Sequence, residues 1–350
     1  MPKNYLSYLK KIYKSVIFRR AVLSLLSLLG LSLIIFTLAR VMPGDPARMA
    51  LGPRAPEEVV QRYRELLHLN EPLYLQYYYW LRDLFQGKLG ISLVSFREVS
   101  IDIAEFLPAT LELMMLTAII QIIGTIVFGT LSGSRPGSII DGALRVFAYI
   151  GICIPAFAWA LFLQFIFSYQ LGWFPPTERI SPGISIPRVT GFMTIDALIA
   201  GNFNAFVDAL WHLFLPSLAL ALGAMAQEAR ILRSAMVENI SKDYVLTFMS
   251  HGLPYRLVYF KYALKPSLVS TIPVMGLDIA SLIANAFMVE IIFNWPGLSK
   301  FGITAMLRKD LNGIVGVVLV AGLIYTITNI IVDVIITLVD PRIRYGGGGE

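Results

Sequence analysis

Six long apolar runs, separated by polar stretches of unequal length, set the pattern of this 350-residue chain. The first, "AVLSLLSLLGLSLIIFTLA" at 21–39, carries no charge, and others follow at about 109–131, 143–168, 208–227, 268–292 and 312–338. At 1.5 Å per residue, about 20 apolar residues cross the roughly 30 Å of hydrocarbon in a bilayer. The pattern predicts an all-α, polytopic membrane protein with six transmembrane helices.

The longest polar stretch, 43–107, has a helical pattern of its own. "APEEVVQRYRELLHL" begins like a helix, with Pro56 and two glutamates in the first turn. "EPLYLQYYYWLRDLF" reads as a second amphipathic helix, ended by "QGKLG". This is a small helical module, not a linker. The run before it is too long for a signal-peptide core, and "RVMPGDP" is no cleavage site, so 21–42 reads as a retained first span. Gly129, Gly133 and Gly137 have the spacing of a close helix–helix contact, but with Pro136 among them a tight turn is the favoured reading.

Composition agrees: 56% of residues are hydrophobic and 15% charged, against about 45–50% and 25% in soluble domains. The net charge of +6 follows topology and not nucleic acid. With the 43–107 module set aside, the segments on the N-terminal side (1–20, 132–146, 229–265 and the C-terminal tail) hold 16 Lys and Arg. The segments 169–207 and 293–311 on the other side hold 5. Positive charge stays inside, so both termini are expected in the cytoplasm and the module outside. The expected layout is a basic cytoplasmic segment 1–20, a first span 21–42, the extracytoplasmic module 43–107, and a five-helix core 108–340 with a cytoplasmic loop 229–265. A tail 341–350 follows, whose Gly-rich end reads as a tag remnant. One cysteine, Cys153, excludes an internal disulfide, and His68, His212 and His251 lack metal-ligand spacing.

The loop "DYVLTFMSHGLPYRLVYFKYALKPSL", 243–268, is too structured for a connector. Asp243 suits the positive end of a helix dipole, and Tyr244, Phe248 and His251 fall on one face. Gly252 sits where a C-cap needs φ > 0, and Pro254 after Leu253 prevents continuation. A short helix with an aromatic face fits a partner's groove. The bland alternative is a basic loop that only enforces topology, with its aromatics in the lipid interface.

The order of motifs goes further. "MPGDPARMALG", "GKLGISL", "LPATLEL", "SRPGSIID", "IPAFAWALFLQFIFSYQLGWFPPT", "HLFLPSLALALG", "EARILRSAMVENISKDYVLTFMSHGL", "VEIIFNWPGLSKFGITAMLRKD" and "LVDPRIR" succeed one another along nearly the whole chain. In that order they resemble the membrane permease subunits of binding-protein-dependent ABC importers, in the dipeptide/oligopeptide branch. The resemblance implies a cell-membrane location and a coupling helix at 243–256 that enters a cleft of an ATP-hydrolysing partner. Asp243, Tyr244, Thr247, Phe248, His251, Gly252 and Leu253 are the residues expected at that contact. The wider family's Glu-Ala-Ala-x3-Gly signature falls here on Leu246, Thr247, Phe248 and Gly252. Only the glycine is kept, and Phe248 in place of a small residue implies a partner socket with room for a ring.

The implied partners are a second homologous permease subunit, two ABC ATPase subunits, an extracytoplasmic substrate-binding protein and the lipid bilayer. No cofactor is expected in this chain; ATP and Mg belong to the ATPases. The sequence itself has no Gly-x4-Gly-Lys-Ser/Thr and no hydrolase motif, so the chain is expected to be no enzyme. Peptide is the expected cargo, with oligosaccharide or nickel as alternatives. A gradient-driven secondary transporter is the rival class, but no internal duplication is visible.

Four acids fall within or beside the runs: Glu112, Asp278, Glu290 and Asp333. Acids there usually face a packed interior or a wet cavity. Glu112 and Glu290 read as structural pairing or capping groups, and Asp333 as one of a pair with a nearby base. Asp278, near the middle of the fifth run, is the candidate pathway-lining acid that favours a cationic group. Its alternative is a buried acid satisfied by Ser281 or by the partner subunit.

Overall fold

The computed structural model describes residues 22–38, 40, 46–52, 54–66 and 68–339. The basic segment 1–20, the exit of the first run at 41–42 and the tail 341–350 lie outside the described residues. Among the described residues the chain is helical and holds no strand, only one isolated bridge between Ile91 and Glu98.

Helix α1, Val22–Leu38, matches the first apolar run. The stretch after it folds into α2 (Pro46–Leu51), α3 (Glu57–Leu66) and α4 (Leu73–Phe85). Helix α3 starts where Glu57 and Glu58 place negative charge at its N-terminus. Helix α4 leans on α1 through Tyr77, whose hydroxyl lies 2.8 Å from that of Ser32, and through Phe36 against Tyr77 and Trp80.

Helix α5, Val99–Ser134, begins within the stretch read as the module. A bent pair follows, α6 (Ile139–Cys153) and α7 (Ala156–Gln170), turned by 110°. The cause is Pro155, which pushes Ile154 into the extended region (φ −95°, ψ 119°) and has no amide to donate. The run 143–168 is therefore a bent helix pair, a broken span or a re-entrant loop, and not one straight helix. Helix α8 (Met193–Ile199) precedes the long α9 (Phe203–Ile240), and the short α10 (Asp243–Ser250) leads into α11 (Tyr255–Ile292). Helices α12 (Leu298–Leu307) and α13 (Leu311–Val339) complete the chain.

Four helices, α5, α9, α11 and α13, are long and apolar enough to cross a membrane, and the bent pair makes five if counted as one. Helix α1 is a shorter apolar helix over its described 17 residues. Helix α9 is the most buried of the long ones. At 38 residues it is ~57 Å long, so it projects well beyond the hydrocarbon.

Two of the three glycines singled out in the sequence serve the contact of α5 with α9. A methyl at Gly129 meets Leu232 Cβ at 2.8 Å, and one at Gly133 meets Met236 Cβ at 2.8 Å. Gly137 is instead the turn residue, with φ +79°. Leu232 and Met236 form a small apolar cluster with Ala263, apart from the main core, which includes Leu113, Leu215, Leu282, Val289 and Trp295.

At the far end from α10, buried acids tie the helices to their connecting segments. Glu112 of α5 pairs with Arg179 and accepts from the amide (2.8 Å) and hydroxyl (2.6 Å) of Thr194. Glu290 of α11 accepts from the Thr110 hydroxyl at 2.6 Å and the Ser299 amide at 3.0 Å. Asp310 accepts from the Ser92 hydroxyl (2.5 Å) and from the Leu93 and Gly313 amides (2.9 and 3.0 Å). Glu112 and Glu290 are thus the structural pairing groups expected. In α8, burial alone raises the Asp196 carboxyl, but the Thr190 hydroxyl and the amides of Thr190, Gly191 and Val189 outweigh it. They hold Asp196 below the ordinary carboxylate value.

The glycine contact has a direct test. Gly129→Ala is expected to destabilise, because a cost of roughly 1–3 kcal/mol for overpacking exceeds the gain of about 1 kcal/mol in helix propensity. Gly142→Ala in α6, with nothing within 4 Å of the new methyl, is expected to be neutral or stabilising. Thermal unfolding of both in one detergent decides; equal melting temperatures sink the account.

Candidate functional site

Helix α10 is a short rod held at both ends by its sequence. Asp243 occupies the first turn, and the Thr247 hydroxyl turns back onto the Asp243 carbonyl at 2.8 Å. At the other end the Gly252 amide donates to the Met249 carbonyl at 3.0 Å and the Leu253 amide to that of Phe248 at 3.2 Å. These two bonds form a Schellman cap, which requires the left-handed φ of +76° seen at Gly252. The His251 ring lies 2.7 Å from the Thr247 carbonyl through Nδ1.

The helix is anchored on one side. Val245 is fully buried, and the Phe248 ring packs on Tyr262 with centroids 4.4 Å apart. The Tyr244 hydroxyl reaches Asn239 of α9 at 3.4 Å, and Asn239 donates to Ser267 of α11 at 3.0 Å. Tyr262 lies in Val258–Ala263, where α11 widens into π-type turns, a local geometry that recurs at functional positions. Asp243, Tyr244, Thr247, His251 and Gly252 face outward, while Phe248 and Leu253 are half-buried. Phe248 thus spends its ring inside the chain. Leu246, absent from the expected set, is 55% exposed and lies on the outer face. Its apolar character in a short polar-flanked helix was the available signal.

The second expected site residue, Asp278, meets a group that the apolar pattern hid. Its carboxyl lies close enough to that of Glu228, on α9, for the two to interact. The fourth run ends at 227 and the expected loop begins at 229, so Glu228 falls between the two; α9 carries it onward as helix to Ile240. Glu228 is fully buried and accepts from the Gln121 amide at 2.6 Å and the Thr125 hydroxyl at 2.7 Å, both on α5. Asp278 is half-buried, and its Oδ2 has no hydrogen-bond partner among the described residues. The Ser281 hydroxyl donates to the backbone carbonyl of Asp278 at 2.8 Å, not to its carboxyl. Two carboxyl groups this close cannot both carry full charge unless a proton or cation lies with them. The pair therefore joins α5, α9 and α11 at one polar point.

Among the described residues, no three His, Cys, Asp or Glu side chains are grouped to hold a metal.

Two family models cover nearly the whole chain. Residues 125–345 match the binding-protein-dependent transport system inner membrane component, and residues 13–114 match the N-terminal part of the same kind of component. The "Probable D,D-dipeptide transport system permease protein" of Escherichia coli (strain K12) is 37% identical over 320 residues, 91% of this chain and 94% of that one. The dipeptide transport system permease protein of Alkalihalophilus pseudofirmus is 34% identical, over 93% of this chain and 98% of its own length. The oligopeptide transport system permease protein of Bacillus subtilis (strain 168) is also 34% identical, over 94% and 99%. With helices able to cross a membrane and matches that run from residue 13 to residue 345, the chain belongs to the family of binding-protein-dependent transport system inner membrane components.

Proposed function

We propose that this chain is one half of the membrane pathway of an ATP-driven importer of di- and oligopeptides, with α10 as the helix that receives force from an ATPase subunit. The carrying observation is the build of α10. It is capped at its C-terminus, exposed on one face, and fixed by Phe248 to α11 and by Tyr244 to α9. A push on such a rod moves two long helices together, the kind of rigid-body motion by which transporters change access. Peptide cargo is favoured because the relatives are named as dipeptide and oligopeptide permeases.

In this reading α1 is the first of six spans, the bent pair counts as one, both termini are cytoplasmic, and α2–α4 lie outside the cell membrane. A second permease, two ATPases that hold the ATP and Mg, and an external binding protein complete the assembly.

Mild-detergent extraction from the native membrane, with mass spectrometry and ATPase activity on the eluate, tests the assembly. A second permease and Walker-A-bearing subunits are expected to co-purify with ATP hydrolysis. A chain that emerges alone, without ATPase activity, overturns it. In the same assay Leu246→Asp is expected to weaken ATPase retention by about thirtyfold, the scale of about 2 kcal/mol for a buried interface anchor. The side chain is exposed within this chain, so the variant is expected to melt with the wild type; undiminished retention removes α10 as the contact.

The Glu228–Asp278 pair is proposed to line the pathway and to favour a substrate's positive group, such as a free peptide amine. Asp278→Asn should slow uptake of lysine-containing peptides at least severalfold more than that of N-acetylated neutral ones. Equal slowing of both classes assigns Asp278 to packing alone.

A further inference from the structure

A cavity of about 140 Å³ opens between α5, α6 and α9, near the end of α9 that leads to α10. Arg145, Arg230 and Arg233 line it together with Phe128, Phe147 and Tyr149. The two phenylalanines meet edge to face with centroids 5.7 Å apart, which gives the cavity one firm apolar wall.

The charge in this place is unbalanced. The acid beside the arginines is Asp141, and its oxygens are already occupied. Arg233 donates to it from Nε at 2.6 Å and from Nη2 at 2.8 Å, Ser132 donates at 2.6 Å, and the Gly137 amide at 2.9 Å. Arg145 stands 3.6 Å from the same carboxylate. Arg230 is exposed and has no acidic partner among the described residues. Three guanidinium groups against one carboxylate leave two positive charges beside an apolar wall.

The surroundings narrow what can answer that charge. Along α6, Val146, Tyr149 and Ile150 are 58%, 58% and 48% exposed, and Ile139 is 92% exposed. Exposed apolar side chains like these suit contact with acyl chains. Guanidinium groups bind phosphate oxygens through paired N–H donors. Basic pockets between membrane helices are suited to phosphate headgroups. A soluble phosphate compound offers the same oxygens but leaves the apolar flank of α6 unused.

We propose that this cavity is a binding site for the phosphate headgroup of an anionic membrane lipid. Arg145 and Arg230 grip the phosphate, Arg233 stays with Asp141, and the acyl chains lie along the exposed face of α6.

The test uses the full chain reconstituted in nanodiscs of phosphatidylcholine with graded phosphatidylglycerol, then extracted in mild detergent and read by lipid mass spectrometry. The wild type is expected to retain phosphatidylglycerol over phosphatidylcholine. Arg230→Gln should lower that preference about fivefold, and Arg145→Gln with Arg230→Gln further, while Arg230→Lys keeps most of it. Arg230 has no ion pair to lose, so Arg230→Gln is expected to melt like the wild type in pure phosphatidylcholine. That keeps a folding defect apart from a binding defect. Equal retention of the two lipids, or undiminished preference in the double variant, overturns the site. Inorganic phosphate that raises the melting temperature as much as phosphatidylglycerol does overturns the lipid assignment in favour of a soluble anion.

Discussion

The close approach of α5 and α9 is the contact on which the other helices depend. Lipid tails are as apolar as leucine, so helices in a membrane gain little from hiding apolar surface against one another; they associate through packing and hydrogen bonds. Packing improves as backbones come nearer, and nearness needs small residues. Gly129 and Gly133 supply them on α5, at places where a methyl would sit 2.8 Å from the β-carbons of Leu232 and Met236. Gly151 does the same for α6, where a methyl would meet Ala226 of α9 at 2.6 Å. Helix α9 thus becomes the post around which α5, α6 and α11 are set, and its burial follows from that position.

A tight, dry contact limits where polar groups can go. Each buried acid described sits at a junction, where other elements bring it donors. Glu112 receives them from the 171–202 connection, Glu290 from α5 and the start of α12, and Asp310 from the segment before α5. These three are closed arrangements, because their oxygens meet hydroxyls and amides, and for Glu112 a guanidinium. They hold the far end of the bundle rigid. The Glu228–Asp278 pair differs in kind: Glu228 is satisfied from α5, but one oxygen of Asp278 is left open. A bundle held at one end, with one carboxyl oxygen left without a donor near its middle, has its freedom of response concentrated between that point and α10.

The apolar runs of the sequence located the helix centres well, because a span needs uncharged length and little else produces it. They did not locate the helix ends. Helix α9 continues through Glu228, Arg230, Arg233 and Glu238, residues that are polar yet good helix formers, so polarity marked the end of the hydrocarbon and not the end of the helix. The same confusion hid Glu228 from the candidate site. The break between α6 and α7 was written in Pro155, but the apolar residues on either side read as one continuous run. Gly252 and Pro254 were legible as a helix stop because their backbone preferences act locally. The partner of Phe248 was not: contact with Tyr262, fourteen residues on, depends on how α11 returns against α10.

That return is what makes α10 more than an exposed plug. A helix of eight residues is too short to be stable alone, so its rigidity is borrowed. Phe248 borrows it from the start of α11, and Tyr244 from Asn239, which in turn bonds Ser267. Force applied to the outer face through Leu246 and Tyr244 is therefore shared between the end of α9 and the beginning of α11. Those are the two helices that carry Glu228 and Asp278. A relative shift of α9 and α11 changes the separation of the two carboxyls, and in the proposed reading the hold of that point on a positive charge changes with it. In that reading motion at α10 is coupled to affinity in the interior through two helices, with no further moving part required.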